Sequence, residues 1–91
     1  MLKIWGRIVK NNRTIKDYVV TSNIEGASYQ DNLKACILEL CNLMDLSKPY
    51  WLPSNLEEYN KRGKTIFNQD NFIEEIEFDR FIIEELDLDK K

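Results

Sequence analysis

The chain reads as an α+β domain, and three patterns point there. Two runs rich in β-branched and aromatic residues, 2–10 and 14–22, flank Asn11-Asn12, a pair that tolerates the positive φ of a two-residue hairpin turn. Ser28-Tyr29-Gln30-Asp31 resembles a helix capping box and precedes apolar residues at helical spacing. Near the end, Phe81-Ile82-Ile83 is β-prone, and a lone two-stranded hairpin is marginal without a third strand. At 91 residues the chain holds a single domain, 1–91, because a second core would need about 50 residues or more of its own. The expected layout is an N-terminal β-hairpin, a long amphipathic helix across one sheet face, short helices, and a C-terminal third strand in a small antiparallel sheet.

Taking Asn11 and Asn12 as the turn pairs Ile8 with Ile15, Arg7 with Lys16, Trp5 with Tyr18 and Ile4 with Val19. One hairpin face then presents Leu2, Ile4, Gly6, Ile8, Ile15, Asp17 and Val19, which is the predicted core side. The other presents Lys3, Trp5, Arg7, Val9, Lys16, Tyr18 and Val20. That second face mixes aromatic and basic groups and sets two like charges opposite each other, an unfavourable pairing unless an acid lies across them.

Leu33, Cys36, Ile37, Leu40 and Met44 recur at the helical period and predict a helix over 28–46, with Lys34, Glu39, Asn42 and Asp45 toward water. Pro49 and Pro53 bracket Tyr50-Trp51-Leu52 in a segment that cannot continue the helix, because each proline disfavours the α region for its predecessor. A stiff, extended aromatic loop is expected there. Ser54-Asn55-Leu56-Glu57 caps a short helix over 55–62, and Gly63 stops it behind Lys61-Arg62. Thr65-Ile66-Phe67 reads as a link, and Asp70 caps a further turn or two through Glu75. Residues 79–87 fit strand alternation and a helical stripe about equally, and β propensity favours the strand.

Composition removes several kinds of chemistry. There is no histidine, so His-based triads and His-containing zinc sites are excluded. The two cysteines, Cys36 and Cys41, are five positions apart on a helix, with Cα atoms ~8–9 Å apart, beyond disulfide reach. They read as buried thiols of a reducing compartment. Charges interrupt every apolar run at the N-terminus, and no stretch reaches the ~20 apolar residues of a membrane span. A cytoplasmic protein with no membrane contact and no cofactor is expected. The net charge of −3 is uneven: residues 1–64 carry ten Lys/Arg against seven Asp/Glu, and residues 65–91 carry three against nine. The acidic C-terminal segment is expected to pack near the basic hairpin.

Lys48-Pro49-Tyr50-Trp51-Leu52-Pro53-Ser54-Asn55, followed by Phe72-Ile73-Glu74-Glu75-Ile76-Glu77-Phe78-Asp79, resembles a family of small bacterial hypothetical proteins. The resemblance implies a cytosolic bacterial origin and no particular chemistry.

Two further motifs have plain structural readings. Asp70, Glu74, Glu75, Glu77 and Asp79 match no EF-hand spacing and read as a solvated acidic face, not a metal site. Gly63-Lys64-Thr65 matches the end of a phosphate-binding loop, but Glu58 stands where that loop needs its first glycine. The constellation with most functional content is Trp5, Arg7, Lys16 and Tyr18, joined by Tyr50 and Trp51. Aromatic and arginine side chains dominate binding hot spots, so the expected function is a non-enzymatic protein-interaction module with an unknown protein partner or self-association. Single-stranded nucleic-acid binding through stacking and phosphate contacts is the alternative, and a small enzyme without histidine is the third reading.

Overall fold

The computed structural model describes residues 2–86. Its strands are β1 (Leu2–Lys10), β2 (Arg13–Ser22), β3 (Lys64–Phe67) and β4 (Arg80–Glu85), and its helices are α1 (Tyr29–Met44) and α2 (Pro53–Arg62). The strands form one antiparallel sheet in the order β2-β1-β4-β3. The α+β class, the hairpin, the long helix and the C-terminal strand are thus as expected, and the sheet gains a fourth strand.

Asn11 and Asn12 take φ of 55° and 64°, and these two left-handed residues make the tight turn whose twist suits a hairpin. The predicted register holds for Lys10↔Arg13 and Val9↔Thr14 and then breaks. The next pair is Ile8↔Lys16, which leaves Ile15 as an extra, unpaired residue. A bulge of this kind inverts the side-chain alternation of everything beyond it. Val20 therefore lies opposite Ile4 and is buried, Val19 opposite Trp5, Tyr18 opposite Gly6 and Asp17 opposite Arg7. The predicted faces of β2 are exchanged from Lys16 onward.

Ser28 caps α1 by accepting a hydrogen bond from the Asp31 N–H at 3.1 Å. The helix ends at Asp45 in the left-handed conformation. Its stripe of Leu33, Cys36, Ile37, Leu40, Cys41 and Met44 is buried against the sheet. The approach is close over Gly6, where a Cβ would sit 2.8 Å from Leu40 Cδ1. One flank of α1 is tied to β2, since Asn32 Oδ1 accepts from Ser22 Oγ at 2.7 Å and from the Ile24 N–H at 2.9 Å.

α2 begins at Pro53, whose fixed φ suits the first helical position, so Ser54 is inside the helix and not its cap. Gly63 closes it with φ 67°, its N–H donating to the Tyr59 carbonyl. The expected link over Thr65-Ile66-Phe67 is a strand: Lys64 to Phe67 pair with Glu84 to Phe81. Four residues are too few to show a period, and their conformation is fixed by β4 beside them. β4 lies centrally, paired with both β1 and β3; residue 87 of the predicted strand lies outside the described residues. The turn expected from Asp70 through Glu75 is a single 3₁₀ turn, Gln69–Asn71, capped by Asn68.

Both helices lie on one side of the sheet, where Ile4, Ile8, Val20, Phe67, Phe81 and Ile83 meet α1 and Tyr59 of α2. Beneath α2, three buried polar side chains join the loops. Asn71 Nδ2 donates to Asn55 Oδ1 (2.7 Å) and to the Tyr50 carbonyl (2.6 Å), and Asn55 Nδ2 donates to Thr65 Oγ1 (2.9 Å). No helix among the described residues is long and apolar enough to cross a membrane.

Candidate functional site

With both helices on one side, the opposite sheet face has no helix over it among the described residues. Strand pairing sets its side chains in rows: Asp17, Arg7, Ile82 and Ile66 in one, Val19, Trp5, Glu84 and Lys64 in the next. Val9 pairs with Arg80 beside them. Val9 and Ile82 are buried, and Trp5, Arg7, Ile66 and Glu84 are half-buried.

The centre is cross-linked by polar contacts. Trp5 Nε1 donates to Asp17 Oδ2 at 3.1 Å. The Arg7 guanidinium lies over the Trp5 ring, 4.1 Å from its centroid, and Arg7 Nη1 stands 3.5 Å from Glu84 Oε1. Cation–π attraction and an ion pair thus hold one guanidinium between β1 and β4, and the Trp5–Asp17 bond ties the ring beneath it to β2. Arg7 Nη1 has this ion pair but no shorter hydrogen bond, and Arg80 Nε is buried without a hydrogen-bond partner among the described residues. The face carries Lys3, Arg7, Lys64 and Arg80 against Asp17 and Glu84. It can therefore take a surface that offers apolar area and oxygen acceptors.

Of the residues expected to form the binding surface, Trp5 and Arg7 are together on this face. Lys16 and Tyr18 are not: the bulge at Ile15 turns both to the helix side, opposite Ile8 and Gly6. Trp51 is also on the helix side. Its ring meets Tyr59 and Phe67 edge-on, with centroids 5.8 and 5.3 Å away, so the loop closes one end of the core. Tyr50 is 57% exposed, but its backbone is held by Asn71 through the Tyr50 N–H to the Asn71 carbonyl (2.7 Å) and through Asn71 Nδ2. Asp17, Ile82, Glu84 and Arg80 belong to the face and were not foreseen. Asp17 had a signal, since shifting β2 by one residue replaces the Arg7–Lys16 repulsion with an Arg7–Asp17 attraction.

Elsewhere the chemistry is quiet. Cys36 and Cys41 are free and buried. Burial pushes both thiols up to about 11, with Glu39 adding to the effect at Cys36 and Lys48 opposing it at Cys41; such thiols are poor nucleophiles. Burial and the bond to Tyr29 raise the Tyr59 hydroxyl as well, and Tyr29 also donates to Glu85 Oε1 at 3.0 Å. Lys64 and Thr65 are strand residues, and Thr65 is bonded to Glu58 at 2.9 Å, so no phosphate cradle exists at Gly63. The acidic segment does approach the hairpin: Asp79 Oδ2 accepts from the Asn11 N–H at 2.8 Å. A groove of about 620 Å³ sets Lys10 and Lys16 near Glu74, Glu75 and Glu77. No three potential metal-ligating side chains converge among the described residues. Comparison with protein families, with curated proteins and with solved structures finds no match to the chain.

Proposed function

We propose that the protein is a cytosolic protein-interaction module whose binding surface is the helix-free sheet face centred on Trp5 and Arg7. The observation that carries this reading is the held guanidinium. Arg7 is held by the Trp5 ring and by its ion pair with Glu84, and a preordered hot-spot residue loses little entropy on binding. Ile66, Ile82 and Val9 supply the apolar floor beside it. Nucleic acid suits this face less well, because the Trp5 ring is already covered by Arg7, and Asp17 and Glu84 repel phosphate. The cytosolic compartment is supported by the free, buried thiols.

The test compares the wild-type chain with Trp5→Ala/Arg7→Ala and with Leu56→Ala on the helix side as control. Captured proteins that bind the wild type and the control but bind the face variant at least ~10-fold more weakly support the reading. Binding that ignores the face variant overturns it. So does salt-sensitive binding of labelled single-stranded DNA or RNA at ~50 mM salt that the double substitution abolishes.

A further inference from the structure

The two edges of the sheet are unlike. β3 is four residues long, with every side chain buried or half-buried. β2 is ten residues long and exposed along nearly its whole length. The outer backbone groups of such an edge have no partner strand among the described residues, and the ligand they fit is another extended strand. The features of β2 that oppose such pairing, the charges Arg13, Lys16 and Asp17 and the bulge at Ile15, all lie in its first half, whereas Tyr18 to Ser22 carries neither charge nor proline.

Apolar side chains collect at this same edge. Tyr18 is 40% exposed and Val19 52%. Leu43, 45% exposed, stands eleven residues beyond Asn32 on α1, which is three helical turns along the same flank. Asn32 is bonded to Ser22 of β2, so Leu43 borders the β2 side of the helix. Leu40, one turn earlier, lies over Gly6, the pairing partner of Tyr18, so Leu43 and Tyr18 are near one level of the domain.

We propose that β2 is a homodimerisation edge, pairing antiparallel with β2 of a second copy about a two-fold axis at Tyr18. An open chain of subunits would need β3 as the complementary edge, and its four residues offer a shorter ladder than β2 offers to a second β2, which favours a closed, isologous pair. Charge excludes two registers, and the exposed Tyr18 ring, level with Leu43, favours an axis at Tyr18. An axis at Lys16 or Asp17 would set like charges opposite each other. At Tyr18 it sets ring against ring, Asp17 against Val19 of the second copy, and Lys16 against Val20 of the second copy. The result is a continuous eight-stranded sheet with all helices on one side and Leu43 of both copies flanking the axis. The proposal stands on the sheet edge and not on its face, so its failure leaves the Trp5–Arg7 reading intact.

Sedimentation of the full chain from micromolar to millimolar concentration should show the mass doubling from 10.8 kDa. Tyr18→Lys should return the monomer mass with an unchanged circular dichroism spectrum. If that variant does not fold, Leu43→Lys, on the exposed helix flank, gives the same readout. Under mild oxidation Tyr18→Cys should cross-link to itself, because directly opposed antiparallel residues have Cα atoms ~4.5–5.5 Å apart, within disulfide range. Lys16→Cys should not. A monomer at millimolar concentration, an open-ended ladder of species, or a dimer that persists in both lysine variants would overturn the proposal.

Discussion

Asn71 is the residue on which most of the loop structure converges. Its amide nitrogen serves Asn55 and the Tyr50 carbonyl, its amide oxygen accepts from the Asn68 N–H at 3.0 Å, and its own carbonyl accepts from the Tyr50 N–H. It is 2% exposed, so no water replaces these partners at the surface. Asn71→Ala removes the side-chain bonds and leaves the Tyr50 carbonyl and the Asn68 N–H short of a partner, at a cost of at least ~2 kcal/mol. Asn68→Ala removes only an exposed cap and costs ~1 kcal/mol. Urea unfolding of the two variants should therefore separate them clearly, and equal midpoints would show that the buried network adds nothing beyond capping. Gly6 is a second residue whose identity is set by contact, since Leu40 of α1 occupies the space that a side chain there would need.

Elements were legible in the sequence where a pattern ran long enough to have a period, and not where a neighbour decides the conformation. The apolar stripe of α1 spans sixteen residues and could be read directly, as could the Asn11-Asn12 turn. β3 could not, because its four residues are strand only through pairing with β4. The bulge at Ile15 left no propensity signal, yet this one residue moved Lys16 and Tyr18 away from Trp5 and Arg7 and divided the expected site. The Tyr50-Trp51 loop was legible as stiff, but its proline spacing could not say whether the ring faced a partner or the core. The edge-on contacts of Trp51 with Tyr59 and Phe67 make it core. Trp51→Ala should thus lower the stability of the monomer by ~3 kcal/mol, whereas Tyr50→Ala, at an exposed ring, should change it by less than ~0.5 kcal/mol. Thermal melts at low concentration check both, and a Trp51→Ala protein of wild-type stability would return that loop to the candidate surface.

For the whole molecule, the ionisable groups that burial perturbs all shift in one direction. Cys36 and Cys41 rise from 9.0 to about 11, and Tyr59 and Tyr29 are also raised, burial being the largest cause each time. Each is neutral when protonated, so the folded chain holds its protons at a pH where the unfolded chain releases them. The stabilisation from the two thiols is complete below pH 9, the unfolded value. It is lost as pH rises toward about 11, because the unfolded state then binds fewer protons than the native one. With no histidine in the chain, no imidazole titration adds a step near neutrality. The thermal midpoint should fall steadily across the alkaline window, and the Cys36→Ala/Cys41→Ala protein, although less stable throughout, should show a shallower fall. Tyr29 and Tyr59, also raised by burial, are present in both proteins, so the difference between the two slopes reports on the buried thiols. Parallel slopes would mean that the thiols reach solvent before the fold opens, and that α1 is less firmly seated on the sheet than its contact with Gly6 implies.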